Sequence, residues 1–91
     1  MRSIIQDENE HCCYLCGASG PLQLHHVLHG PYRAKADRDL LTVWLCVQCH
    51  TNLHQRGWHD RELKALAQTM WCQYYGKTVK EWMERYGKNY K

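Results

Sequence analysis

Leu45-Cys46-Val47-Gln48-Cys49-His50-Thr51-Asn52-Leu53-His54 places two cysteines and two histidines within ten residues. The C-x2-C spacing of Cys46 and Cys49 lets both sulfurs reach one ion. A helix beginning near Val47 would put His50 and His54, four residues apart, on one face, so both imidazoles could reach a second ion. Upstream, Cys13-Tyr14-Leu15-Cys16 is a matching knuckle. Together Cys13, Cys16, Cys46 and Cys49 can close a tetrahedral four-thiolate site around a structural zinc. Cys12 offers a C-x3-C alternative to Cys13, but the x2 spacing is the commoner knuckle geometry. Cys12 and Cys72 have no obvious partner and read as free thiols.

The segment between the knuckles is long enough to carry more than a turn. Gly17 and Gly20-Pro21 lead into the alternating stretch Leu22-Gln23-Leu24-His25-His26-Val27, which reads as a short strand. Gly30-Pro31 opens an expected polar loop through about Asp39, and Thr42-Val43-Trp44-Leu45 is β-branched and aromatic enough to be the antiparallel partner. Neighbouring strand residues point to opposite faces, so His25 and His26 cannot readily both bind the ion that His50 and His54 reach. One of the pair is left for another task.

Composition narrows the class. The chain has 91 residues, one domain's worth, with six Cys and seven His. A start of MRSIIQDENE has no apolar signal-peptide segment, and no apolar run approaches the length of a membrane span. The expected setting is therefore cytoplasmic, where this many cysteines point to metal binding rather than a disulfide framework. A net charge of +3 says little by itself about a nucleic-acid partner. The basic excess lies in residues 55–91, with eight Lys and Arg against four Asp and Glu, whereas residues 1–54 carry four against five.

Beyond the ligand-rich half, Leu63, Leu66, Ala67, Met70, Trp71 and Tyr74 recur at helical spacing, predicting a helix from about Asp60 to Tyr75 that stops at Gly76. Thr78-Val79-Lys80-Glu81 fits a capping box, and Val79, Trp82, Met83 and Tyr86 continue the pattern to Gly87. Both stripes are expected to cover the core.

The motifs CYLCG, LQLHHVLHG, LCVQCH and TNLH, with the ending ERYGKNYK, resemble the HNH endonuclease family, particularly its small phage-type members, over residues 12–91. That resemblance implies an α+β fold of ββα-metal (His-Me finger) type, stapled by the four-cysteine zinc and carrying two C-terminal helices. It also implies metal-dependent hydrolysis of DNA phosphodiester bonds. His25, His50 and His54 would hold the catalytic divalent metal (Mg2+, Mn2+, Ni2+ or Zn2+), and His26 would be the catalytic general base. DNA is the implied partner, with no membrane and with a homodimer left open, in a bacterial host cell for a protein of phage or prophage origin. Arg33, Lys35 and Arg38, and beyond the helix Arg56, Arg61 and Lys64, are candidates for contacting phosphates.

The family's middle Asn is missing, since no Asn lies between His26 and Cys46. Asp37 or Asp39 could bond the loop that bears the base. For His29, Asn52 and His59 a surface or capping role is expected. The implied organisation is an N-terminal arm (1–10), a zinc-stapled core (11–57) and a helical extension packed on it (58–91). Two rivals are a zinc-finger-like binding module whose histidines hold no second metal, and a degenerate HNH protein that binds DNA without cutting.

Overall fold

Strand β1 (Leu22–His26) pairs antiparallel with β2 (Thr42–Cys46) in the computed structural model, which describes residues 2–91; Leu22 faces Cys46 and His26 faces Thr42. Four helices accompany this two-stranded sheet: α1 (Arg33–Arg38), α2 (Val47–Arg56), α3 (Asp60–Tyr75) and α4 (Val79–Tyr86). The protein is thus a small α+β structure. Among the described residues no helix is long and apolar enough to cross a membrane.

The helix ends follow local chemistry. Cys46 Sγ accepts a hydrogen bond from the Cys49 backbone N–H at 3.4 Å, so a knuckle sulfur also caps α2. Helices α3 and α4 occupy the spans their apolar spacing predicts. Thr78 and Glu81 form the expected reciprocal capping box. Gly87 ends α4 with φ +77°, and a Cβ there would meet the Tyr32 hydroxyl at 2.5 Å.

The segment expected as a polar loop through Asp39 is instead a single 3-10 turn, Gly30–Tyr32, followed by α1. Pro31 presets the first turn, Ala34 and Ala36 favour helix, and Arg33 faces Asp37 one turn on, with Nε to Oδ2 at 3.9 Å. Ala36 is fully buried, so packing completes what weak local signals begin.

The arm is anchored at several points, with Met1 outside the described residues. Ile4 and Gln6 are buried. Gln6 donates from Nε2 to the Cys12 carbonyl and accepts at Oε1 from the Trp44 N–H, at 2.9 and 2.8 Å. Tyr14 N–H donates to the Trp44 carbonyl at 2.8 Å. Both the arm and the first knuckle therefore use backbone groups on the edge of β2 that β1 leaves open.

Apolar side chains of the sheet, α2, α3 and α4 form one core, with Trp82 and Tyr86 rings 4.3 Å apart and Trp71 lying edge-on to Trp82. The predicted stripes overreach at Tyr74, Val79 and Met83, which are exposed. Gln68 is buried instead, its amide donating to Asn89 Oδ1 and accepting from the Tyr90 N–H. The chain's tail wraps back over α3 and supplies those partners.

Asp39, at the end of α1, ties the C-terminal helices to the rest. Its carboxylate accepts from Trp71 Nε1 at 2.8 Å, from Arg85 Nε and Nη2 at 2.6 and 3.1 Å, and from the Tyr86 hydroxyl. Its carbonyl accepts from the Tyr75 hydroxyl. Burial, and then the carboxylate itself, pushes the Tyr86 phenol up, which keeps it a donor. Asp39→Ala strands three donors, one of them charged. The expected cost is about 3 kcal/mol, the low end for a broken buried ion pair because Arg85 is partly open to water. Urea unfolding of the variant beside the parent measures it, and a loss below about 1 kcal/mol would show that water replaces the carboxylate.

Candidate functional site

Four sulfurs converge where the first knuckle meets the end of β2 and the start of α2. One Sγ from each of Cys13, Cys16, Cys46 and Cys49 lies within 4.8 Å of the others, and Cys16 and Cys46 are 3.7 Å apart. That separation is far beyond a disulfide bond and matches the edge of a tetrahedron with metal–sulfur bonds of about 2.3 Å, roughly 3.8 Å. The group could hold a metal ion. Burial opposes ionisation of Cys13, but backbone hydrogen bonds from Cys46, Cys16 and Leu15 outweigh it and bring its thiol down to about 6. Cys49 is driven the other way, by burial and then by the thiols of Cys46, Cys16 and Cys13. A cation among the sulfurs would relieve that mutual repulsion. Cys12 and Cys72 stand outside the group.

On the other side of α2 the histidines gather. His25, from β1, and His50 and His54, from α2, each bring one ring nitrogen within 4.8 Å of the other two. The ring centroids are 5.2 Å apart for His25 and His50 and 4.6 Å apart for His50 and His54. His25 is 1 % exposed, and neither of its ring nitrogens has a hydrogen-bond partner. Burial, followed by the charges of His50, His29 and His54, lowers its pKa to about 3, so the ring stays neutral with a lone pair to give. Burial also lowers His50.

The tautomer of His50 is set by a residue that sequence reasoning missed. Gln23, two positions before His25 on the same strand face, places Oε1 2.6 Å from His50 Nδ1. A carbonyl oxygen only accepts, so Nδ1 carries the proton and Nε2 the lone pair. His54 Nε2, 2.9 Å from that lone pair, donates to it. For both Nε2 atoms to serve an ion, only the His54 proton has to move. Gln23 gave no sequence signal beyond its strand parity with His25, because its partner lies 27 residues away.

His26 turns toward α1. Its Nδ1 lies 2.8 Å from Asp37 Oδ1 and its Nε2 lies 3.0 Å from Arg33 Nη2. The guanidinium can only donate, so Nε2 accepts and Nδ1–H donates to the carboxylate. His26 is thereby oriented with its lone pair at Nε2, where Arg33 now engages it. Of the two acids considered for the missing Asn, Asp37 touches His26, whereas Asp39 is committed to the helices.

One cleft of about 190 Å3 is bordered by Leu24, His25, His26, His29, Arg33, His50 and His54. A larger hollow of about 420 Å3 lies beside the cysteines under Trp58 and is mostly apolar. Chemistry singles out the smaller one, where titratable groups converge. Among the basic candidates only Arg33 borders this cleft. Lys35 leans toward α4, donating to the Arg85 carbonyl at 3.4 Å, and Arg38 is exposed. Arg56 lies over the Trp58 ring, and Lys64 pairs with Asp60. His59 contacts Glu62, and His29 is exposed at the N-cap of the 3-10 turn, in keeping with the expected surface or capping place, with its ring beside the histidine cluster.

Comparison with protein-family models, with curated proteins and with solved structures gives no match, so function has to be read from this geometry.

Cys16 provides a sharp test of the sulfur group because its side chain is exposed. Without a metal, Cys16→Ala should change stability by no more than about 0.5 kcal/mol, as ordinary surface changes do. With one, the variant should lose the ion and unfold at a much lower temperature. Elemental analysis together with a thermal melt is expected to show the second result.

Proposed function

We propose that this chain is a metal-dependent endonuclease of HNH type that hydrolyses DNA phosphodiester bonds, with β1, β2 and α2 as its ββα-metal unit. One observation carries the reading: an oriented imidazole, His26, and a three-imidazole group, His25, His50 and His54, open on the same cleft. A binding finger has no use for both. The four cysteines would hold zinc, which four thiolates favour, and so brace β2, α2 and the first knuckle.

A divalent ion on His25, His50 and His54 would stabilise the charge that builds on the phosphate and on the departing oxygen. The chain's own residues would do the rest. Arg33, now on His26 Nε2, is placed to transfer its guanidinium to a phosphate oxygen, which frees the lone pair. His26 Nε2 then takes a proton from water as the water oxygen attacks phosphorus and the bond to the sugar oxygen breaks. Asp37 holds the other nitrogen and steadies the imidazolium that forms. Its side chain would perform the orienting task that the family assigns to its middle Asn.

Plasmid cleavage with Mg2+, Mn2+, Ni2+ and Zn2+, with and without EDTA, tests the activity. His26→Ala should keep its metals and its DNA affinity while cleaving on the order of 10²- to 10⁴-fold more slowly. A variant that cuts at nearly the parental rate removes His26 as the base. A parent that binds DNA but does not cut with any of these metals favours the non-cutting rival.

Asp37→Ala should lower the maximal rate about 10²-fold with little change in KM, since a mis-set base affects the transition state more than substrate binding. Asp37→Asn keeps an acceptor for Nδ1–H and should recover part of that loss. An Asp37→Ala variant that keeps the parental rate would mean that the carboxylate does not position His26.

A further inference from the structure

His25 belongs to two donor groups. Besides its set with His50 and His54, one of its ring nitrogens, one of His29 and one carboxylate oxygen of Asp60 lie within 4.8 Å of one another. These residues come from β1, the turn that follows it and the first position of α3. Two nitrogens and a carboxylate oxygen are a complete three-ligand set that leaves room for water or substrate. The buried His25 points to a ligand here as well, since neither of its ring nitrogens has a hydrogen-bond partner.

Accounting for lone pairs decides how the two groups relate. Gln23 fixes the tautomer of His50, but no hydrogen bond fixes that of His25. Either nitrogen of His25 can therefore carry the lone pair. A neutral imidazole has only one, so His25 can serve one ion at a time. The donor sets also differ in hardness. Three imidazoles suit Zn2+ or Ni2+, whereas a carboxylate shifts preference toward Mn2+ and Mg2+. Lys64 engages Asp60 Oδ2 at 2.8 Å, which steadies the carboxylate and leaves Oδ1 for an ion.

We propose that His25, His29 and Asp60 form a second divalent-cation position, alternative to the one at His25, His50 and His54, and selective for harder ions of the Mn2+ kind. The nature of the ion would then decide which of the two donor groups is used. This goes beyond the nuclease reading and shares only His25 with it.

Titrating the zinc-loaded full chain with Mn2+, followed by the electron paramagnetic resonance of the free ion, and with Ni2+, followed by calorimetry, separates the positions. Asp60→Asn and His29→Ala should each weaken Mn2+ binding at least about tenfold and leave Ni2+ within about threefold. His50→Ala should do the reverse, and His25→Ala should weaken both. The parent should take one ion beyond the cysteine-bound zinc, whichever metal is offered. The His29 side chain is exposed, so His29→Ala decides the matter even if Asp60→Asn disturbs the start of α3. If Mn2+ affinity ignores Asp60 and His29 but falls in His50→Ala, there is a single position and this proposal fails, while the nuclease site stands. Two ions bound together would overturn the alternation. Loss of DNA cleavage with these metal affinities intact would count against the nuclease reading alone.

Discussion

Four sulfurs packed within 4.8 Å of one another set the terms for the rest of the molecule. Two belong to a knuckle with no regular structure of its own, one ends β2, and one lies in the first turn of α2. An ion joining them would fix the direction in which α2 leaves the sheet. His50 and His54 ride on that helix, so their approach to His25 would depend on that ion although neither touches the sulfur group. The two-stranded sheet could not set this angle alone. A lone hairpin is marginal in water, and here the open edge of β2 is completed by Gln6 and Tyr14 rather than by a third strand.

Within that frame, strand parity divides the labour of two adjacent histidines. His25 and Gln23 share the face toward α2, where one is a candidate ligand and the other orients a candidate ligand. His26 goes toward α1, where Asp37 and Arg33 engage its two nitrogens. Slipping the register by one residue would exchange the two rings and put a solvated imidazole where a buried one is needed. The buried position of His25 opposite Val43 makes such a slip costly.

Much of this was legible in the sequence, and for identifiable reasons. The two knuckles, the His50–His54 spacing and the extents of α3 and α4 rest on short-range patterns that survive folding. Helix α1 was not legible because Arg33–Arg38 has only one apolar side that matters, Ala36, and its burial is a tertiary fact. The bond of Gln23 to His50 and the approach of His29 and Asp60 to His25 were not legible because each joins residues on different elements. His25 and His29 are four apart, a spacing that signals a shared face in a helix and means nothing across a strand end and a turn. Gln68 was hidden in the same way, its partners being the polar tail at Asn89 and Tyr90.

Two acids two residues apart on one short helix connect the extension to the cleft. Asp37 reaches His26, and Asp39 gathers Trp71, Arg85 and Tyr86 from α3 and α4. A six-residue helix has no stability of its own to hold a side chain in place. Anchoring its last turn through Asp39 supplies that rigidity, and Asp37 and Arg33 inherit it. The C-terminal helices therefore do more than cover apolar surface. They hold α1 against the strand, and through α1 they set how firmly the His26 ring is aimed into the cleft.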